Sequence, residues 1–424
     1  MVKIEEAGSE GQEEIVGLTL DELARLGAQR MLKAALEAEV SAYVAAHQEE
    51  REAQGRALVV RNGHARGRKV TIGSGTLTVQ APRVDDRRVD EAGERQRFRS
   101  RILPPYMRRS PKVAEVLPIL YLRGLSTGDF REALPVLLGE AAAGLSPTTL
   151  TRLTAQWEAE YTAFRQRDLS DRDYVYLWVD GVHFTLRLED ERLCTLVVMG
   201  ARADGTKEVM AVEDGYREST ESWLTLWRDL KRHGMTAPAV AVGDGARGCW
   251  KAVGEVWPET REQRCWVHRL THVLDKLPKR LQPKAKRAWR EIMNAATRAD
   301  AEAAITAFTA EYQAKYPKAV ASLDRDQEKL RTFFDFPAEH WLHLRTTNPV
   351  ESPFSTVRLR QRVTKGAGSR AKGLVMADKL LVMAEERWRK LNAPHLLPLV
   401  QATVKFVDGI QQRRNEEGRG KEAA

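Results

Sequence analysis

Between Leu18 and His47 the chain reads LTLDELARLGAQRMLKAALEAEVSAYVAAH, with apolar residues at helical spacing. Leu32, Leu36, Val40 and Val44 recur at every fourth position and share one broad face. This predicts one or two helices and offers a dimerising surface. The period then changes. In VRNGHARGRKVTIGSGTLTVQAPRV, residues Thr71, Ile72, Leu77 and Val79, with glycines on either side of Ser74, predict a small hairpin. Residues 85–110 are charge-rich and read as a linker. Three helical segments follow from Pro111. Ser126 or Thr127 can cap the second; Ser146 can cap the third, with Pro147 at the first helical position. Two short helices and a third beginning S-P-T-T-L-T-R suggest a helix-turn-helix with Thr148, Thr149, Thr151 and Arg152 facing a groove. An ordinary helical bundle fits the same pattern.

After Arg165 the pattern is mixed. YVYLWVDGVHF, LCTLVVMGAR and KEVMAVED alternate as strands, and Asp204-Gly205 marks a tight turn between the last two. STESWLTLWRDLKRHG is an amphipathic helix with Gly234 as its stop signal. The strand PAVAVGD follows, then a short helix around ARGCWKAVGEVW. Three antiparallel strands, a helix and a parallel strand match the order of a ribonuclease-H-like sheet. From about Arg269 to Trp341 the pattern is helical and basic with no strand candidate, which predicts an all-helical insert. A long helix, LVMADKLLVMAEERWRKL, and a charged tail close the chain.

Composition narrows the class. The 424 residues carry 68 Lys+Arg against 59 Asp+Glu, a net charge of +9 that favours a polyanionic partner. At 42% hydrophobic residues the chain can bury a core. Three sparse cysteines make no disulfide framework and point to a reducing, cytoplasmic setting. No apolar run is long enough to span a membrane, and the acidic N-terminus does not resemble a signal peptide.

Two strand-like runs end alike: Asp180 and Asp244 each precede a glycine. Either alone fits an ordinary turn. As a pair on neighbouring strands they would repel unless a cation lay between them. Hard oxygen ligands open to water favour Mg²⁺ or Mn²⁺. Two such ions, about 3.5–4 Å apart, activate a water or 3′-hydroxyl for in-line phosphoryl displacement. A third carboxylate is expected, and Glu351 in T-T-N-P-V-E-S is the best candidate. The same segment allows a helix capped by Asn348 with Pro349 first, in which Glu351 serves only the terminus. Pro353 suggests that the regular helix starts later, at Ser352-Pro353. Arg358, Arg360, Arg362, Lys365 and Arg370 follow with no acid between them, either a phosphate-handling stretch or a solvated helix face. Arg61, His64, Arg66, Arg68 and Lys69 form a second such cluster, readable as a flexible arm reaching DNA or as a solvated loop. Cys265-x-x-His268 is half a zinc site at most, because zinc needs four ligands. Its residues pack beside the acids, with His268 able to orient a carboxylate or meet a phosphate. Trp266 between them either stacks on a flipped base or packs in the core.

Four stretches, YLWVDGVHF, VGDGARG, QRCWVHRLTHVLDKLP and TTNPVES with its Arg-rich sequel, resemble the Mutator-type transposases of bacterial insertion sequences. The likeness extends upstream through RNGHARGRKV, GTLTVQAPRV and YLRGLSTGDF, and covers roughly residues 30–395. It implies a ribonuclease-H-like domain with a D-D-E triad interrupted by a helical insert. The triad falls on Asp180, Asp244 and Glu351, and the family's C-x-x-H element on Cys265 and His268.

The expected fold is therefore multidomain α+β. It has a tail (1–16), N-terminal helices with a hairpin and basic linker (17–110), and a helix-turn-helix-like region (111–170). A catalytic α/β core follows in two parts (171–268 and 345–410), split by an all-α insertion (269–344), with a tail at 411–424. The expected activity is metal-dependent cleavage at terminal inverted repeats and transfer of the 3′-hydroxyl ends into target DNA, by a homodimer or larger synaptic assembly on the bacterial nucleoid. Double-stranded DNA, as element ends and as target, is the expected partner. A junction-resolving nuclease and a non-catalytic DNA-end-binding protein are the alternatives.

Overall fold

The computed structural model describes residues 17–139, 142, 146–186, 193–215 and 219–412. The N-terminal tail and nearly all of the C-terminal tail lie outside them. The chain forms two compact units, Met1–Leu153 and Thr154–Ala424. The division falls inside a helix.

In the first unit, Leu20–Ala46 is one helix (α1), begun by a capping box between Thr19 and Glu22. Leu36 does not wait for a second copy: it is buried with Val70, Leu77, Val79 and Leu103 over a small β structure. Strands Val59–His64 (β1), Arg68–Ile72 (β2), Gly75–Val79 (β3) and Pro82–Asp86 (β4) pair as β2–β3 and β1–β4, both antiparallel. The first basic cluster is thus not a flexible arm. Arg61 lies in β1 and pairs with Glu37, while Arg68 in β2 donates to the carbonyls of Leu103 and Pro104. Arg66 and Lys69 are exposed. Helices Pro111–Leu122 (α2) and Thr127–Leu138 (α3) pack around Leu117, Phe130 and Leu134. Ser126 caps α3 in a box with Asp129, and Ser146 accepts from the Thr149 N–H at the start of helix Pro147–Arg165 (α4). Thr148, Thr151 and Arg152 are exposed, whereas the Thr149 hydroxyl is bonded to Ser146.

The second unit is built on a five-stranded mixed sheet. Its strands are Tyr174–Phe184 (β5), Leu193–Arg202 (β6), Lys207–Asp214 (β7), Val240–Gly243 (β8) and Arg261–Arg264 (β9), in the order β7-β6-β5-β8-β9. The first three are antiparallel; β8 runs parallel to both β5 and β9. Helices Thr220–Arg232 (α5) and Arg247–Val256 (α6) bury Trp223, Trp227, Trp250 and Val253 with Leu177 and Val179 of β5. Strand residues alternate between faces. Tyr176, Trp178 and Asp180 therefore point to the opposite face. There the Tyr176 hydroxyl meets His340 Nδ1 at 2.8 Å, and Trp178 donates to the His343 carbonyl.

Helix Trp266–Leu274 (α7) follows β9. Helices Gln282–Met293 (α8), Arg298–Tyr312 (α9) and Pro317–Asp324 (α10) come next around Trp289, Phe308 and Phe333. Among the described residues no strand interrupts this run. It returns to its starting point, since the Trp266 N–H bonds the Arg345 carbonyl at 2.9 Å. Helices Asn348–Thr364 (α11) and Arg370–Glu385 (α12) then pack against the sheet, α11 over β5 and α12 over β7.

Candidate active site

The β5–β8 register pairs Trp178 with Val242 and Val179 with Gly243. The next position on each chain is an aspartate. Adjacent strands lie about 4.8 Å apart, so Asp180 and Asp244 are neighbours, although only Asp244 follows a strand end: Asp180 lies inside β5, paired with Val197. Asp180 accepts from the Gly181 N–H, and Asp244 Oδ1 accepts from the Ala246 N–H at 2.9 Å. Gly245, at φ +111°, takes the left-handed turn between them.

Glu351 arrives on the first turn of α11. This helix begins at Asn348 and runs unbroken through Pro353, so neither the later start nor the Asn348 cap holds. Pro353 lies near enough to the N-terminus that its missing N–H forfeits only one bond, to the Pro349 carbonyl. The N-cap is Thr347, and its side chain does not cap. Its hydroxyl donates instead to Glu351 Oε1 and lies 3.3 Å from both His268 Nδ1 and Cys265 Sγ. The Thr347 N–H also points at Cys265 Sγ, at 3.4 Å. Having one proton, the hydroxyl donates to the carboxylate and accepts from the ring. His268 Nδ1 is 3.8 Å from Glu351 Oε1. Cys265, His268 and Glu351 offer ligand atoms within 4.8 Å of one another. The sulfur, however, is fully buried beneath Thr347, so the accessible donors are the carboxylates.

Electrostatics ties the three acids together. Burial, and then the charges of Glu351 and Asp244, push the Asp180 carboxyl up to about 7; His268 opposes them. The hydrogen bond to Cys265 pushes His268 up to about 9, against burial and with help from Glu351 and Asp180. Burial would raise the Cys265 thiol, but bonds from His268 and Thr347 outweigh it and hold it below its ordinary range. This acidic centre lacks a full counter-charge, and its open donors are hard oxygens. Such a donor set fits Mg²⁺ or Mn²⁺.

The other expected residues divide. Trp266 is fully buried, donates to the Leu330 carbonyl at 2.8 Å and packs edge-on against Trp289, so no base can stack on it. On α11, Arg358 and Arg362 lie seven and eleven residues beyond Glu351, on one stripe, and are exposed; Lys365, the left-handed C-cap just past the helix, is exposed too. Arg358 and Arg362 line two shallow grooves with Ser355, Leu359, Thr185 and Gln361. Arg360 projects from the opposite side and is 4% exposed, which removes it from any outer surface. Arg370 is paired with Asp214. Sequence reasoning missed Thr347, although a hydroxyl four residues before a helical acid is the available signal. It also missed Arg264 and Arg269, which lie beside Asp244 and feel its charge.

Residues 3–389 match the family model described as transposase, Mutator family. The chain is 59% identical over 297 residues to the transposase for insertion sequence element IS6120 of Mycolicibacterium smegmatis, covering 70% of this chain and 92% of that one. It is 49% identical over 288 residues to the transposase for insertion sequence element IST2 of Acidithiobacillus ferrooxidans, covering 66% and 95%. Among solved structures, the Drosophila P element transposase strand transfer complex aligns over 74% of this chain and 87% of that one, at 12% identity and a TM-score of 0.29. No helix among the described residues is long and apolar enough to cross a membrane. With nine-tenths of its length matched by the family model, this chain belongs to the Mutator family of transposases.

Proposed function

We propose that this transposase cuts the ends of its element and joins the freed 3′-hydroxyls to target DNA at one site, formed by Asp180, Asp244 and Glu351 on a ribonuclease-H-like core. The observation that carries this reading is the convergence of the three carboxylates: two in register on adjacent parallel strands, the third felt electrostatically at Asp180. The strand order and the helical run between β9 and α11 support the fold.

Asp180, Asp244 and Glu351 would hold two Mg²⁺ or Mn²⁺ ions. Bound there, such ions would supply Lewis-acid activation and charge neutralisation for phosphoryl transfer. The chain's own residues do the rest. Thr347 fixes the Glu351 carboxylate by its hydroxyl. His268, positively charged near neutral pH, balances part of the acidic charge and faces the phosphate. Arg358 and Arg362 continue the Glu351 stripe, with Lys365 at the helix end, as a track for the DNA backbone, so that strand and Glu351 share one helix face. Thr148, Thr151 and Arg152, at the exposed start of α4, contact the terminal repeats, with Arg66 and Lys69 as further backbone contacts. Two ends must be cut together, so the working form is a dimer or larger synaptic assembly.

The test is cleavage and joining of an element-end duplex in Mg²⁺ by the wild type and by Asp180→Asn. Loss of both steps is expected. Cleavage without joining would favour a resolving nuclease, and unchanged cleavage would remove Asp180 from the reaction.

A further inference from the structure

Beside Asp244 lies a second group of charges that the three-acid reading does not use. Arg264, at the end of β9, and Arg269, on α7, are each 6% exposed. They share one carboxylate, Asp326, which pairs directly with Arg269 and lies 3.8 Å from Arg264, beyond hydrogen-bonding distance. Donors are therefore in excess: Arg264 Nε and Nη1 and Arg269 Nε have no partner among the described residues. The Arg264 guanidinium lies over the Trp250 ring at 4.9 Å, which fixes its plane.

Both guanidiniums face the turn that carries Asp244. A Cβ built on Gly245 would lie 3.0 Å from Arg264 Nη1 and 3.7 Å from Arg269 Nη2. Only glycine lets the Arg264 guanidinium pack this closely against the turn. The next residue, Ala246, is the N-cap of α6; its own N–H is held by Asp244, and no side chain caps the helix. Backbone N–H groups there add donors pointing out of the helix start. Two guanidiniums with unsatisfied N–H groups, a glycine that lets them pack against the Asp244 turn and an uncapped helix start converge on one corner. That donor-rich corner calls for a tetrahedral anion with several acceptor oxygens.

We propose that Arg264 and Arg269, with the Gly245–Gly248 turn, form a phosphate subsite beside Asp244 that holds a DNA phosphodiester next to the reacting one. Asp326 occupies the pair in the absence of DNA and is displaced in part when the phosphate arrives. The inference rests on the proposed role of Asp244, and its test separates the two.

The probes are inorganic phosphate and a labelled DNA duplex, used on the full chain without divalent metal. Phosphate should raise the melting temperature of the wild type above that seen in sodium chloride of equal ionic strength. Arg269→Gln should abolish most of that rise, and Arg269→Lys should restore only part, because it keeps the charge without the fork. Asp326→Asn should enlarge the rise, since it removes the competing carboxylate. With duplex DNA, Arg264→Gln or Arg269→Gln should lower the slope of log affinity against log salt by about one, while Asp180→Asn leaves that slope unchanged. If Asp326→Asn diminishes the phosphate effect, or both Gln variants keep the wild-type response and slope, the arginines form only an internal ion pair and the proposal is overturned. A phosphate response with no change in DNA slope assigns the corner to free phosphate and overturns its role with DNA. Persistence of both effects alongside full cleavage by Asp180→Asn would refute the three-acid reading and leave the subsite standing.

Discussion

Replacing Asp180 with asparagine should make the metal-free protein more stable, and more so as pH rises. Its carboxyl titrates near 7 in the folded chain, against 3.8 as the ordinary value. The folded state therefore holds a proton that the unfolded chain releases between about pH 4 and 7. For an acid shifted upward, stability is greatest at low pH and is lost as pH rises through that window. Asparagine has nothing to lose. Each pH unit in the window is worth about 1.4 kcal/mol, so the advantage of Asp180→Asn should grow by about 2–3 kcal/mol between pH 5 and pH 8. All ten tryptophans lie beyond residue 153, so their fluorescence reports the second unit alone. Urea unfolding followed by that signal in EDTA, at several pH values, supplies the measurement. Mg²⁺ should stabilise the wild type at pH 8 far more than the variant, because the cation takes the place of the proton. A difference independent of pH would refute the claim that burial and the neighbouring acids set the titration of Asp180.

Thr347→Val removes the hydroxyl that fixes Glu351 and should slow single-turnover cleavage about tenfold, equivalent to one hydrogen bond to a charged group, without unfolding the chain; an unchanged rate would dismiss the positioning role. Arg360→Gln should cost about 2–4 kcal/mol in unfolding experiments, whereas Arg358→Gln and Arg362→Gln should leave stability intact and each lower the salt slope of DNA binding by about one. Trp266→Phe should lower stability by about 1–2 kcal/mol through the lost bond to Leu330, with DNA affinity unaltered. Gly234→Ala should destabilise by at least about 1 kcal/mol, since φ is +96° there and a Cβ would approach the Ser170 backbone at 2.8 Å.

Much of the sheet is legible because its strands carry their own signals. Tyr174–Phe184 and Leu193–Arg202 are long apolar runs, and Asp204-Gly205 supplies a turn suited to a hairpin. The two aspartates are legible for the same reason, each following an apolar run, although Asp180 proves to lie inside its strand and only Asp244 at a strand end. Strand β9 is not, because REQR has no apolar alternation; it is a strand because β8 offers it an edge and Gln263 and Arg264 find buried places. The pairing of β1 with β4 joins residues as far apart as Val59 and Asp86 and is equally silent locally. Trp266 shows the limit for side chains, since an indole beside a catalytic motif looks the same in sequence whether it faces DNA or the core. Arg360 was decidable: 100° per residue sets it opposite the stripe that Glu351 begins. Thr347 lay within a motif whose glutamate drew the attention.

The hydrogen bond from Trp266 to the Arg345 carbonyl joins the way out of the sheet to the way back in. Seen from the catalytic strands, the intervening helices are a detour of zero displacement. Their size, charge and even their number can change over evolutionary time while the spacing of the acids stays fixed, provided this one doorway is kept shut. A transposase lineage can thus trade one helical annex for another without rebuilding its sheet.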